Sequence, residues 1–447
     1  MSGPTIQLDP GFAYYQGRSR ESIADEIVQN GYVAVRYFVV NENNVDAELV
    51  DALQARGLTV WALVLGNGSY SVERFPEGWQ DWQMQLVTPA NDGYYRFSPH
   101  SPEYVAWKKQ AVAKLVHDYG FDGIEVAEPY FPDWNGISRG YYGDVGPHAQ
   151  RAFKAEYGRE IPNFTDPSAS NYYLNDRELY DKWVEFRVDA VNRFLNELIN
   201  GTGGVRDVNP GVLVATWSLA VDAGPDSVAL EREYQGLDAA EMISTVKPDL
   251  HVLQTNWPDW IRPDLPGDYV LTYQNFVDDI RKDHPRIPLG VQTDIGSQPA
   301  MARDRNWLNS FVQTATEMGF STWTAYEYHI GGYMYQEPPV PTTAARLPDG
   351  GVTVSFQKRI DAESAKAPES FAVYIGDNRR LWVKRDSVSV DGNRVVIDGE
   401  GLPRGAFKLQ VRNVTDDPDT WLYHKDASPN VVPAGASIIV PPVRGGF

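Results

Sequence analysis

The chain contains no cysteine and is poor in positive charge. Of its 447 residues, 60 are Asp or Glu and 40 are Lys or Arg, so the formal net charge is −20. The absence of cysteine excludes disulfide-linked folds, cysteine-ligated metal centres and thiol nucleophiles. The acidic balance argues against a nucleic-acid or anionic-lipid partner, because both need positive charge. We therefore expect chemistry that uses oxygen and nitrogen side chains.

Membrane-spanning, leader and metal-binding patterns are also missing. No uninterrupted apolar run approaches the roughly 20 residues of a membrane-spanning helix, so we expect no membrane insertion. The opening MSGPTIQLDP has neither the basic nor the apolar region of a signal peptide. The 7 histidines form no H-x-H or H-E-x-x-H pair, so the sequence predicts no metal and no other cofactor.

Aromatic residues, in contrast, are abundant. They make up 12% of the chain and include 13 Trp and 25 Tyr. Most should be core residues, because aromatic rings bury large areas. Several, however, occur together with Asp, Asn and Glu in three segments, residues 130–136, 254–260 and 323–329. Sugars have apolar faces and polar edges, so these segments suggest a carbohydrate partner.

The first three quarters of the chain alternate between short β-branched runs and longer segments of helical period. This pattern predicts parallel strands joined by crossover helices. Eight such units in about 330 residues fit a (β/α)8 TIM barrel, whose chemistry lies at the C-terminal ends of the strands. Residues 269–276 could be one further strand. The eight predicted strands are residues 5–8, 33–38, 59–64, 123–127, 212–217, 250–254, 289–293 and 321–326.

The pattern changes after residue 335. The proline-rich QEPPVPT at 336–342 predicts a semi-rigid linker. Short alternating runs separated by Asp-Gly and Gly-Leu-Pro turns then predict an all-β sandwich over residues 343–447. We thus expect a barrel domain at 1–335 and a sandwich domain after the linker.

The sandwich segments VTVSFQKRID, at 352–361, and RVVIDGEGLPRGAFKLQVRNVTD, at 394–416, resemble bacterial Ig-like domains. Such domains accompany secreted and cell-surface enzymes. The resemblance implies an accessory module in a bacterial protein that acts outside the cell or on its surface. Glycan binding and a packing or spacer role are both open for this module.

The segment HDYGFDGIEVAEPYFPDWNG, at 117–136, carries the strongest chemical signal. Glu128 ends the predicted fourth strand, where Pro129 forces the chain out of the sheet. Glu125 lies inside the strand, and a charge there must be paired or functional. Its predicted partner is Arg36 of the second strand. We keep Glu125 as a catalytic candidate beside Glu128, and Arg36 as a substrate-contacting one.

These residues resemble a glycoside hydrolase signature. Phe-Asp-Gly-Ile, followed by a proline five residues later, resembles the fourth strand of several (β/α)8 glycosidase families, including those called glycosyl-hydrolase-like. Ala127-Glu128-Pro129 is similar to the Asn-Glu-Pro around the acid/base of glycoside hydrolase clan A, with Ala127 in the Asn position. The resemblance implies that Glu128 acts as general acid.

Glycoside cleavage normally needs a second carboxyl group, about 5–5.5 Å from the first in retaining enzymes and about 6.5–9.5 Å in inverting ones. Two candidates end later strands. Glu327 ends the eighth strand amid Trp, Tyr and His, and Asp294 ends the seventh, where clan A has its nucleophile. We prefer Glu327 and keep Asp294 as the positional alternative.

Aromatic and amide residues at the strand ends are expected to contact the sugar. Two other functions stay open, a non-catalytic glycan-binding barrel and a metal-dependent hydrolase. For the tryptophans of strands five and six, capping the barrel is an equally good interpretation. The expected contact residues are Tyr130, Trp134, Trp217, Asn256, Trp257, Gln292, Trp323 and Tyr326.

Overall fold

A closed barrel of eight parallel strands forms the first part of the molecule, as the computed structural model shows for residues 2–132, 134 and 136–443. Each strand pairs with the next along the chain, and the first pairs with the last. The predicted (β/α)8 fold is confirmed. Strands one to eight are Gly3–Leu8, Ala34–Phe38, Thr59–Leu65, Gly123–Ala127, Leu213–Leu219, Leu250–Gln254, Leu289–Asp294 and Thr322–Tyr326.

Helices connect successive strands. The longest, Arg177–Asn200, begins at the capping side chain of Asp176, which accepts the N–H of Leu179. It buries one apolar face that includes Trp183 and Phe194, as its three- and four-residue spacing predicts. The helices of the barrel region are Arg20–Gln29, Ala47–Ala55, Pro102–Asp118, Gly136–Arg139, Pro147–Tyr157, Arg177–Asn200, Val205–Val208, Ser227–Gln235, Ala239–Val246, Trp257–Trp260, Gln274–Asp283, Arg305–Glu317 and Gly332–Gln336.

The prediction of a possible extra strand at residues 269–276 is wrong. This stretch forms the 3-10 helix Gly267–Tyr273 and the start of the helix Gln274–Asp283. Tyr269, Tyr273 and Phe276 are buried together, while Leu271 is 52% exposed. The aromatic residues therefore follow a helical period of three to four, which a short apolar run does not distinguish from a strand.

Two long excursions cover the C-terminal ends of strands three and four. The first, residues 66–101, contains a two-residue antiparallel pairing of Gly68–Ser69 with Tyr95–Arg96. The second, residues 128–176, contains the helices Gly136–Arg139 and Pro147–Tyr157. Loops at this end of a barrel usually carry the functional groups. Here they form the walls of a cavity at the barrel mouth.

Two four-stranded antiparallel sheets follow the barrel, so the predicted all-β sandwich is also confirmed as a fold class. Their shared core includes Val354, Phe371 and Leu409. Residues 336–342, the predicted linker, run from the end of the helix Gly332–Gln336 into the first sandwich strand, Pro341–Arg346. Residues 1 and 444–447, which belong to the two predicted domains, lie outside the described residues. The sheets contain, in spatial order, Pro341–Arg346, Val352–Phe356, Arg394–Ile397 and Val388–Asp391, and then Asn378–Trp382, Phe371–Ile375, Phe407–Val411 and Ser437–Val440.

The sandwich packs directly on the barrel. Trp421 comes from the sandwich region, yet it is 1% exposed and belongs to the hydrophobic core of the barrel. Tyr335 contacts its ring edge-on at 5.2 Å. In the described part of the chain, no helix has the length and apolarity that crossing a bilayer requires.

Candidate active site

Four carboxylates stand at the C-terminal ends of barrel strands, namely Asp9, Glu128, Asp294 and Glu327. Glu128 and Glu327 each follow the last residue of a strand, and both have a φ of 53°. A positive φ in a non-glycine residue costs of order 1–3 kcal/mol and occurs mainly at functional sites. Continued strand alternation would point these two side chains away from the barrel axis. The turn of the backbone at both residues redirects them.

Glu128 lines a cavity of about 590 Å³. The Tyr94 hydroxyl donates a hydrogen bond to its Oε2 at 2.9 Å. Burial raises the pKa of Glu128 above its usual value, and the Tyr94 hydroxyl and the Arg96 charge oppose this increase in part. A carboxyl group with a raised pKa can remain protonated at a pH where an exposed glutamate is ionised. Glu128 therefore has the properties of a proton donor.

The approach of Tyr94 to Glu128 depends on a glycine. A Cβ atom on Gly68 would stand 2.0 Å from the Tyr94 hydroxyl oxygen. Only the absence of a side chain at this position leaves room for the phenol. Tyr70, two residues later, packs against Tyr94 with ring centroids 4.9 Å apart and is 62% exposed. The cavity thus has one accessible aromatic ring close to its proton donor.

The remaining wall of the cavity is polar and held by internal contacts. Arg96 donates to both oxygens of Asp92, at 3.1 and 2.6 Å. The Asn67 side-chain amide donates to the backbone carbonyl of Tyr130 at 3.0 Å. The ring of Tyr130 stacks on Trp217 with centroids 5.9 Å apart. Such a mixture of aromatic, amide and charged groups suits a polar ligand with apolar faces.

Glu327 is 1% exposed, and both of its oxygens accept hydrogen bonds. The backbone N–H of Asp9 donates to Oε2 at 2.6 Å. The Tyr15 hydroxyl donates to Oε1, and His329 Nδ1 lies 3.1 Å from the same oxygen. The carboxylate is therefore fixed by groups from the segments that follow the first and last strands of the barrel.

Asp294 is 3% exposed and is held through one oxygen. Its Oδ1 accepts the backbone N–H groups of Gly296 and Ser297, at 2.6 and 2.8 Å. Burial raises the pKa of Asp294, and these N–H groups act in the opposite direction. Both of these hydrogen bonds involve Oδ1, which leaves Oδ2 as the oxygen to be considered for chemistry.

Tyr326 lies among the acidic groups of strands one, seven and eight. Burial raises the pKa of its hydroxyl well above the usual value, and the negative charge of Glu327 raises it further. Asp294 and Asp9 contribute to the same increase. The predicted site residue Tyr326 is thus a neutral phenol within the electrostatic reach of both candidates for the second carboxylate.

Glu125 and Arg36 lie deeper in the barrel, where they form an ion pair of 2.7 Å with both side chains almost fully buried. The pairing predicted from the sequence is confirmed. The Arg36 guanidinium also lies over Trp61, 4.5 Å from the ring centroid. Like Asp294 and Glu327, neither residue lines the cavity of Glu128, but Glu125 and Arg36 differ from those two in lying in the middle of their strands and in pairing with each other. This geometry favours a structural role for the pair over catalysis by Glu125 or substrate contact by Arg36.

Two other predicted contact residues are interior. Trp217 is fully buried, and its indole N–H points to Gln292 Oε1 at 3.4 Å. The Gln292 amide reaches Gln7 at 3.4 Å. These residues fill the barrel beneath the mouth, so Trp217 affects a ligand only through Tyr130, which rests on it.

Three more of the predicted contact residues lie after strand six or within strand eight. Asn256 precedes the short helix Trp257–Trp260, and Trp257 is exposed. The prediction that Trp323 contacts the sugar is corrected, because its ring packs against that of Tyr32 with centroids 6.1 Å apart. Alternation places its side chain opposite to that of Tyr326. Trp323 therefore does not face the barrel mouth.

Trp134, in the excursion after strand four, contacts the ring of Tyr234 edge-on at 5.1 Å. Sequence reasoning missed Tyr94, Tyr70, Tyr15 and Asp9 as site residues. The only available signal was the tyrosine-rich composition of the excursion that contains Tyr94. Within the described residues, no group of three or more His, Asp or Glu side chains could hold a metal ion.

Comparisons with known proteins identify no family. No family model matches the chain, and no curated protein matches it. Among solved structures, an endo-beta-1,4-mannanase from Thermotoga petrophila is 9% identical, with a TM-score of 0.41 over 100% of this chain and 98% of that one. The glycoside hydrolase domain of PelA from Pseudomonas aeruginosa is 9% identical, with a TM-score of 0.40 over 73% and 95%.

A beta-galactosidase from Bacillus circulans sp. alkalophilus is 13% identical, with a TM-score of 0.49 over 73% of this chain and 50% of that chain. At such identities and TM-scores, these likenesses carry no argument about activity.

Proposed function

We propose that this protein is a glycoside hydrolase in which Glu128 is the general acid. One observation carries the proposal: a half-buried carboxyl group with a raised pKa lines a 590 Å³ cavity that contains an accessible tyrosine ring. Two fully buried carboxylates, Asp294 and Glu327, stand at the same end of the barrel. Paired carboxyl groups in different environments are the usual arrangement for acid and base roles.

In the proposed reaction, Glu128 transfers its proton to the glycosidic oxygen while the bond from that oxygen to the anomeric carbon breaks. A second carboxylate either attacks the anomeric carbon or removes a proton from the attacking water. Proton transfer by a positioned side chain contributes about 10²–10⁴-fold to the rate. Tyr94, which donates to Glu128 Oε2, leaves Oε1 as the oxygen that carries the proton.

For the second carboxylate we propose Asp294 in place of Glu327, which the sequence favoured. Both oxygens of Glu327 accept hydrogen bonds from the protein. An attacking carboxylate needs a lone pair directed at the substrate, and the hydrogen bonds from the Gly296 and Ser297 N–H groups to Asp294 occupy only Oδ1. Glu327 then acts as a fixed negative charge that stabilises the cationic transition state at the barrel mouth.

Tyr70 is proposed as the stacking platform. Its ring is exposed and rests on Tyr94 beside the proton donor. An exposed aromatic ring at the rim of a cavity offers an apolar surface to the face of a sugar. Tyr130, which also lines the cavity, offers a second ring.

A screen of polysaccharides and aryl glycosides, with product analysis by NMR, tests the activity and reports the stereochemistry. On the cleaved substrate we expect Glu128→Gln to lower kcat by about 10²–10⁴-fold. The loss should be smaller for a dinitrophenyl glycoside, whose leaving group needs no proton. Glu77→Gln, an exposed glutamate of a neighbouring loop, is the matched control and should keep full activity.

The same substrates separate the two candidates for the second carboxylate. We expect Asp294→Asn to remove activity on the dinitrophenyl glycoside as well, and azide to restore it if the enzyme is retaining. Such behaviour in Glu327→Gln, but not in Asp294→Asn, would reverse the assignment. Glycan binding without cleavage by the wild type would indicate the non-catalytic alternative. Activity abolished by exhaustive chelation would indicate the metal-dependent one.

We also propose that the protein acts outside the cell, which the resemblance of the sandwich to Ig-like domains supports. Fractionation of the source organism with an antibody against the barrel tests this. Recovery from the cytosolic fraction alone would contradict it.

A further inference from the structure

The sandwich contacts the barrel at two places that lie next to the candidate carboxylates. The first contact involves Arg359. Its guanidinium donates to the backbone carbonyls of Tyr14 and Gln16, at 2.8 and 2.7 Å, and its backbone N–H donates to the Tyr14 hydroxyl at 2.9 Å. Tyr15, between these two residues, donates its hydroxyl hydrogen to Glu327. Arg359 therefore holds the turn that holds Glu327.

Other sandwich groups hold the chain just beyond this turn. Arg18 forms a buried ion pair of 2.7 Å with Glu26, and its Nη2 donates to Asn393 of the sandwich at 3.0 Å. Gly392 allows this approach, because a Cβ atom there would stand 2.1 Å from Arg18 Nε. The backbone N–H of Ser19 donates to Asp391 at 2.7 Å. The contact is thus a closely fitted polar interface.

The second contact involves Tyr423. Its hydroxyl donates to the backbone carbonyl of Ser297, and the N–H of the same Ser297 donates to Asp294 Oδ1 at 2.8 Å. Trp421, buried in the barrel core, anchors the loop that carries Tyr423. Asn430 adds a further bond at 2.9 Å to the backbone carbonyl of Tyr335. A sandwich side chain therefore bonds directly to Ser297, one of the two residues whose N–H groups support Asp294.

We propose that the sandwich is a structural part of the candidate active site, and that Arg359 and Tyr423 are positioning residues for Glu327 and Asp294. The sequence left glycan binding and a packing or spacer role open for this module, and the proposed role goes beyond packing because it assigns the contacts to the support of particular carboxylates. The positioning is inferred from the hydrogen bonds described above, while its effect on catalysis rests on the proposed function. A displacement of about 1 Å in a catalytic group can lower the rate about 10²-fold.

Hydrogen exchange of the full chain, measured by mass spectrometry, tests the positioning without any substrate. In Tyr423→Phe, we expect at least threefold faster exchange in peptides that cover residues 294–298. In Arg359→Ala, we expect the same increase in peptides that cover residues 12–17. Tyr374→Phe and Arg385→Ala, on sandwich surfaces away from both contacts, are the matched controls and should leave these peptides unchanged.

Activity provides the second readout. On a cleaved glycoside, Tyr423→Phe should lower kcat about 10-fold and leave KM within twofold of wild type, with an unchanged melting temperature. The Ser297 N–H lowers the pKa of Asp294, so a weaker hydrogen bond between them should raise this pKa. The acid limb of the pH–rate profile should therefore also shift to higher pH. A merely structural residue would lower the melting temperature without moving this limb.

The two failures are distinguishable. If the wild type cleaves no glycoside, the proposed function fails, and the exchange experiment still decides whether the sandwich positions the carboxylates. If exchange at residues 294–298 and 12–17 is the same in the variants as in the controls, the positioning proposal is overturned, whatever the activity. Faster exchange with unchanged kcat would likewise overturn its catalytic part.

Discussion

Replacing Glu125 with leucine distinguishes a structural from a catalytic role for the buried ion pair. Glu125 and Arg36 are 2.7 Å apart inside the barrel, and Trp61 stacks on the guanidinium. With an effective dielectric constant of 20, two unit charges at this distance attract by about 6 kcal/mol. Desolvation offsets much of this attraction, but removing one partner leaves an unpaired buried charge, which typically costs about 3–5 kcal/mol.

We therefore expect Glu125→Leu to lower the free energy of unfolding of the barrel by about 3–5 kcal/mol. This is a large fraction of the about 5–15 kcal/mol that stabilises a typical domain. The double variant Arg36→Met/Glu125→Leu removes both charges and should recover stability to within about 1 kcal/mol of wild type, because buried ion pairs are often replaceable by apolar residues. Recovery in the double variant shows that the loss came from the unpaired charge.

Urea unfolding, followed by tryptophan fluorescence and far-UV circular dichroism, measures these differences. Arg20→Met, which removes a partly exposed cation of a surface ion pair, is the control and should change stability by less than about 1 kcal/mol. Wild-type stability of Glu125→Leu would contradict a structural role for the ion pair. If, in addition, that variant were folded but inactive on a substrate that the wild type cleaves, Glu125 would be catalytic.

Three further outcomes follow from the geometry. Tyr94→Phe removes a hydrogen bond that lowers the pKa of Glu128, so the alkaline limb of the pH–rate profile should move to higher pH. A shift of this limb to lower pH would contradict the assignment of Glu128 as the general acid. Gly68→Ala should lower kcat at least as much as Tyr94→Phe, because its Cβ atom would displace the phenol; unchanged kinetics would contradict the close approach. Burial lowers the pKa of His251 from 6.5 to about 3, so the protein loses stability as pH falls below 6.5. By linkage, two pH units at about 1.4 kcal/mol each lower the free energy of unfolding by roughly 2–3 kcal/mol at pH 4.5. In urea unfolding at pH 7.5 and 4.5, His251→Gln should remove this loss of stability. If the stability of the variant falls as steeply with pH as that of the wild type, His251 is not the cause.

The barrel could be predicted from the sequence because each strand is a local pattern. Apolar β-branched runs followed by helical periods identified all eight strands to within a few residues. The uncertain stretch, residues 269–276, shows the limit of such patterns. Three aromatic residues in eight positions fit a strand and a helix equally well, and only packing against the neighbouring helix Arg305–Glu317 decides between them.

The carboxylates of the site could be predicted as strand ends, but their surroundings could not. Tyr94 is 34 residues from Glu128 in the chain, and Tyr15 is 312 residues from Glu327. No local pattern links residues so far apart. The positive φ of both glutamates is equally invisible, because it reflects tertiary packing that overrides the β preference of a strand end. Trp323 was misplaced for a simpler reason, since alternation from Tyr326 would have turned it outward.

Closure of the barrel has a consequence for biosynthesis. Strand one pairs with strand eight, so Thr5 reaches its partners Trp323 and Thr324 only across a separation of 318 and 319 residues. At about 5–20 residues per second, a ribosome needs roughly 16–64 s to synthesise that interval. During this time strand one can pair with strand two, but its other edge has no native neighbour. Unpaired strand edges promote association with other chains. Nascent molecules of this protein should therefore depend on holding chaperones until residue 326 has left the ribosome.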